Sequence, residues 1–82
     1  MISVKFFAML KNLTKAEAKQ YNIEGTITLE ELKGMLKKDF PALEGVFASR
    51  SVFISVNQEF ADKNTVIKDG DEIGLLPPFS GG

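Results

Sequence analysis

The chain contains no cysteine and no histidine. Without cysteine there is no disulfide framework, no thiolate metal site and no cysteine nucleophile. Without histidine there is neither the usual general base near neutral pH nor the commonest metal ligand. No apolar run approaches the ~20 residues of a membrane span. The N-terminal MISVKFFAML lacks the charged n-region of a signal peptide. With 10 basic and 11 acidic residues the formal net charge is -1, and no basic stripe stands out to attract nucleic acid. These absences fit a cytoplasmic protein with no membrane and no nucleic-acid partner, poorly equipped to run chemistry on its own side chains. The carboxylates of Asp69, Asp71 and Glu72 have no full ligand set around them, so they read as a solvated turn and not as a metal site.

What is present is the material of one small domain. The 82 residues are 44% hydrophobic and 26% charged, as in ordinary globular chains. Ile2, Val4 and Phe6 alternate with Ser3 and Lys5, the period of a half-buried strand, and Phe7 points to the other face. Leu10 to Ala16, LKNLTKA, is polar and predicts a loop. Lys19 to Ile23, KQYNI, alternates again and predicts the second strand of a hairpin, closed by Gly25. Thr28-Leu29-Glu30-Glu31 is a capping box, with Ile27 and Leu32 at the positions of a hydrophobic staple. Leu29, Leu32, Leu36 and Phe40 recur at helical spacing, with lysines late in the run, and Pro41 ends the helix near Asp39.

Beyond a loop from Ala42 to Arg50, SVFISVN places Val52, Ile54 and Val56 on one face of a strand and Phe53 on the other. Asn57-Gln58-Glu59 is a turn, Thr65-Val66-Ile67 a short apolar piece, and Lys68-Asp69-Gly70-Asp71 a tight reversal. Glu72 to Leu76, EIGLL, is the last strand. The first and last strands are strongly apolar and suit the centre of one sheet. The expectation is an α+β domain over residues 1–76, with a mixed sheet of four to five strands and one main helix packed on one face. The ubiquitin-like β-grasp has this order of elements, although composition alone does not select it.

The chain closes on Pro77-Pro78-Phe79-Ser80-Gly81-Gly82. Neither proline can donate to a strand ladder, and both favour an extended chain. Residues 77–82 then form an arm that could reach ~20 Å at about 3.3–3.6 Å per residue. Gly81 and Gly82 carry no side chain and fit a channel too narrow for other residues. About one chain in 200 would end in two glycines by chance, but the proline brace suits a presented tail. A terminal carboxylate, with a pKa of about 3.3–3.7, is ionised and inert until activated, for instance as an acyl-adenylate formed by a partner that binds ATP. This chain supplies no group for that step, so the expectation is a carrier or modifier that binds no cofactor itself.

Three stretches carry a resemblance: VKFFAML (Val4 to Leu10), SVNQ (Ser55 to Gln58) and KDGDEIGLLPPFSGG (Lys68 to Gly82). Together they resemble the small, sulfur-carrying subunits of molybdopterin synthase, within the MoaD/ThiS group of ubiquitin-like proteins. The resemblance implies that Gly82 is adenylated by an enzyme related to ubiquitin-activating enzymes and then thiocarboxylated. It implies a second partner, the large catalytic subunit, in a heterotetramer that transfers sulfur to cyclic pyranopterin monophosphate. Gly81 would slim the tip. Phe7, Phe60, Leu76 and Phe79 would form an apolar docking patch beside Pro77, Pro78 and Ser80. Lys11-Asn12 stands where the family often has Arg-Glu, and Ser80 where Thr or Ala is common, so a polar contact differs but the tail does not.

Phe7, Phe60 and Leu76 also fit the core of a small domain. Leu75 and Leu76 must face opposite sides of their strand, which puts one of them outside. Phe60 follows a polar turn, which favours exposure. Three other functions compete: a sulfur carrier for thiamine, tRNA thiolation or cysteine synthesis; a modifier that joins Gly82 to lysines; and an interaction domain with an inert tail.

Overall fold

The computed structural model describes residues 1–78, so Phe79, Ser80, Gly81 and Gly82 lie outside the described residues. Strand β1 (Ile2–Phe6) buries Ile2, Val4 and Phe6, as its alternation requires. Strand β2 (Ala18–Tyr21) pairs antiparallel with it, Ile2 opposite Tyr21, and so begins and ends earlier than predicted. Ile23 lies past its end and packs half-buried on the core.

The loop expected between these strands is instead a helix, α1 (Met9–Thr14). Leu10 is fully buried, and the Thr14 Oγ1 hydroxyl donates to the Leu10 carbonyl at 3.0 Å. Lys15, at φ +58°, closes the turn by donating its N–H to the Lys11 carbonyl at 2.7 Å. A helix of 6 residues cannot nucleate on its own. Burial of Leu10 makes it, which is why the polar sequence read as a loop. The same correction applies to residues 42–50. Leu43–Ala48 form α3, held by the buried Leu43, with too few turns to show a period.

Between them, Thr28 does two jobs. It ends strand β3 (Thr26–Thr28), which the sequence reading passed over, and it caps α2 (Leu29–Asp39). The Thr28 hydroxyl accepts from the Glu31 amide at 3.1 Å, and the Glu31 carboxylate accepts from the Thr28 amide at 3.0 Å. Leu29, Leu32 and Leu36 are buried, and the Phe40 ring meets Phe6 edge-on with centroids 5.2 Å apart. The helix therefore lies across the inner face of the sheet. Pro41 then stops it where expected.

The remaining strands are β4 (Phe53–Val56), β5 (Glu59–Phe60), β6 (Val66–Lys68) and β7 (Glu72–Leu76). Five of the seven form one sheet in the order β2-β1-β7-β4-β5, and β3 pairs with β6 in a separate ladder. The first and last strands run parallel at the centre, Val4 opposite Ile73 and Phe6 opposite Leu75. All other pairings in the sheet are antiparallel. Ile54, Ile73 and Leu75 complete the buried inner face. Among the described residues no helix is long and apolar enough to cross a membrane.

At the end of the sheet remote from Pro77, Asp69 and Glu72 are exposed as a solvated turn requires, but Asp71 is only 5% exposed, so the expectation is corrected for that residue. Its carboxylate accepts from the Lys68 amide at 2.9 Å, the Asn57 side-chain amide at 2.9 Å and the Lys68 ammonium at 3.2 Å. Asn57 in turn accepts from the Glu72 amide at 3.0 Å. This ties the β4–β5 turn, where Asn57 and Gln58 both take positive φ, to the β6–β7 turn, where Gly70 does. Burial alone would raise the Asp71 carboxyl. The hydrogen bonds from Lys68 and Asn57, with the Lys68 charge, outweigh burial and hold it below the ordinary value of 3.8.

A carboxyl held low in the fold stabilises at pH above its unfolded value, and that contribution is lost as pH falls through the folded value. The protein should therefore lose stability below about pH 4. Asp71→Asn should be less stable at neutral pH by about 1–3 kcal/mol. That deficit should shrink on acidification. Denaturation at neutral pH and at about pH 3 checks this; an equal deficit at both would contradict it.

Candidate functional site

Successive residues of β7 alternate between faces, so Ile73 and Leu75 enter the core while Glu72, Gly74 and Leu76 face outward. Strand register then fixes what stands beside them. Leu76 lies opposite Phe53 of β4. Phe7, one residue past β1, extends the parallel ladder by donating its N–H to the Leu75 carbonyl at 3.1 Å. In the next row Gly74 lies between Lys5 and Ser55, and Ser55 lies opposite Phe60 of edge strand β5. Farther from the tail the face turns polar, with Glu72 and Asn57. The Lys5 ammonium meets the Glu72 carboxylate at 2.9 Å, an exposed pair of small energetic weight.

The outer face is thus graded. Its apolar end is the one from which the chain leaves β7 into Pro77 and Pro78. Phe60 is 71% exposed and Phe7 41%. Leu76 and Pro77 are half-buried and Pro78 is exposed. The structure therefore brings Phe7, Phe60 and Leu76 to one face of the sheet, near the end where the chain passes from β7 into Pro77 and Pro78. Phe79, Ser80, Gly81 and Gly82 lie outside the described residues.

The sequence reading left Phe53 out of the patch. It is 45% exposed, and its ring sits against Phe60 with centroids 5.6 Å apart. The alternation in SVFISVN already turned it outward. Its place beside Leu76 depends on the register of β4 against β7, which the sequence does not display.

Among the described residues no group of three or more acidic side chains is placed to hold a metal ion. Asp71, whose carboxyl is held low, stands at the far end of the sheet and serves the turns. What this end of the sheet offers is a rigid base for a strand continuation and an exposed apolar area. A contiguous area of that kind marks an interaction site more readily than a catalytic one.

A mixed sheet with its first and last strands parallel at the centre, and one longer helix across its inner face, defines a ubiquitin-like β-grasp domain. The match to the ThiS family spans residues 4–82, and the chain belongs to that family. A molybdopterin synthase sulfur carrier subunit from Chlamydomonas reinhardtii is 30% identical, over 99% of this chain and 98% of that protein. Among solved structures, SAMP1 of Haloferax volcanii, a small archaeal modifier protein, superposes with a TM-score of 0.84 at 28% identity, over 99% of this chain and 98% of that one. A chain from the complex of subunits 1 and 2 of the molybdopterin-converting factor of Helicobacter pylori gives 0.70 at 32% identity, over 99% and 97%.

The division of faces has a direct test. Phe60→Glu should cost about 1 kcal/mol or less, because little beyond the contact with Phe53 is lost. Leu75→Ala, on the buried face, should cost about 2–5 kcal/mol. Urea denaturation of the two variants checks this, and comparable losses would place Phe60 in the core.

Proposed function

We propose that this protein is the sulfur carrier of a molybdopterin synthase, in which Gly82 is the working group. The observation that carries the reading is near-full-length similarity to a protein named molybdopterin synthase sulfur carrier subunit, with a family match that runs through Gly82. A terminal carboxylate is ionised and must be activated before it can accept sulfur. An activating partner related to ubiquitin-activating enzymes would spend ATP to form an acyl-adenylate on Gly82, releasing pyrophosphate. A sulfur nucleophile then displaces AMP and leaves a thiocarboxylate. The large catalytic subunit receives the tail, each thiocarboxylate gives one sulfur to cyclic pyranopterin monophosphate and is returned by water to the carboxylate, and two such transfers build the dithiolene. The H. pylori complex, in which such a subunit pairs with a second one, supports a large-subunit partner.

In this account the domain contributes position, not catalysis. Phe7, Phe60 and Leu76, with Phe53, dock the partner. Pro77 and Pro78 hold the arm extended, Phe79 and Ser80 continue it, and Gly81 keeps the tip slim. The apolar end of the outer face supports this assignment, because docking there would aim the arm into the partner. A second reading, favoured by the likeness to SAMP1, is that Gly82 is joined to lysines of other proteins. Both use the same activation and differ in the final acceptor.

Adding one alanine after Gly82 removes the carboxylate from its place without touching the domain. That variant should melt like the parent and fail to support cofactor synthesis in cells lacking the native gene. Full complementation by the extended chain would contradict the carrier mechanism.

A further inference from the structure

We infer that Gly74 is a positioning residue for the docking face, acting through the ring of Phe7. The inference rests on the reading that this face binds the large subunit. Gly74 occupies the middle of β7, hydrogen-bonded between β1 and β4, where glycine weakens a strand. Neither a turn nor a left-handed backbone explains it, since its φ lies outside the positive range that Gly25 and Gly70 adopt. The explanation lies in space. A Cβ at this position would stand 2.7 Å from Ser55 Oγ, 3.3 Å from Phe7 Cε2 and 3.5 Å from Leu76 Cδ1. The Cε2 edge of the Phe7 ring thus stands over the bare backbone of β7, on the same side as Leu76 Cδ1.

The backbone of Phe7 has little freedom to give way. Its N–H is bound to the Leu75 carbonyl, and Ala8 reverses the chain immediately afterwards at φ +53°. A methyl group on residue 74 would therefore be accommodated by the side chains, with Ser55 turning its hydroxyl and Phe7 lifting its ring. The second of these moves the Phe7 ring relative to Leu76 on the face that both line. Gly74 thus sets the height of an aromatic contact that it does not itself make. Glycine in a strand interior often marks such a close approach.

The two strained contacts can be separated. Ser55→Ala removes the hydroxyl at 2.7 Å and leaves the contact with Phe7 in place. Binding of the purified large subunit from the same organism is measured by titration calorimetry, with Tm measured in parallel. Gly74→Ala should lower affinity about tenfold, the scale of a displaced anchor residue. Gly74→Ala combined with Ser55→Ala should recover the parent Tm but not the affinity. In a Phe7→Ala background, Gly74→Ala should change affinity no further, as a coupled pair requires. Parent-like binding by Gly74→Ala overturns the inference, as does recovery of affinity together with Tm, or an undiminished loss in the Phe7→Ala background. If the parent protein itself fails to bind the large subunit, the docking reading falls and this inference with it.

Discussion

The placement of β7 governs everything else in this molecule. The last strand of the chain lies at the centre of the sheet, hydrogen-bonded to β1 on one side and β4 on the other. Its inward side chains, Ile73 and Leu75, are fully buried. A terminal arm that left an edge strand would swing with the edge. One that leaves a central strand starts from a backbone hydrogen-bonded on both sides. Pro77 and Pro78 follow directly from that base, and neither can donate to the ladder.

The same strand separates the two kinds of work. On the inner face, β1, β4 and β7 meet the leucines of α2 and of the short helices, and that packing holds the fold together. On the outer face Leu76 of β7, Phe53 of β4, Phe60 of β5 and Phe7 just past β1 lie near the end where the chain leaves β7 into Pro77. Because strand residues alternate, a residue given to partners on one side leaves its neighbours free for the core on the other. At the far end of the sheet the Asp71 cluster locks two turns to each other. The exposed apolar area and the Asp71 lock thereby lie at opposite ends of β7.

Much of this was legible in the residues. The alternation of Ile2, Val4 and Phe6, the Thr28–Glu31 cap, the stop at Pro41 and the pairing of first and last strands all rest on local signals. The structure bears them out. The short helices α1 and α3 were not legible, because one or two turns show no period and form only when Leu10 and Leu43 are buried. Strand β3 was hidden by its own last residue, since Thr28 is also a helix cap. Asp71 looked like one acidic turn residue among several, and its burial depends on Asn57, fourteen positions away. For the site, alternation turned Phe53 outward and the polar turn favoured exposure of Phe60, while Phe7 and Leu76 fitted core and surface equally in the sequence; Phe7 is exposed and Leu76 half-buried. The contacts of Phe53 with Phe60, and of Gly74 with Phe7, depend on strand register and became visible only in three dimensions.

The central claim is chemical, and it concerns one atom. The most direct measurement is the intact mass of the protein isolated from its native cells, with the C-terminal peptide sequenced by mass spectrometry. The account predicts a population in which one oxygen is replaced by sulfur, located at Gly82. A C-terminus that carries only the free carboxylate, in cells actively making the cofactor and with their sulfur-transfer steps intact, would contradict it. Gly82 found solely in amide linkage to lysines of other proteins would contradict it equally and would give the molecule to the modifiers.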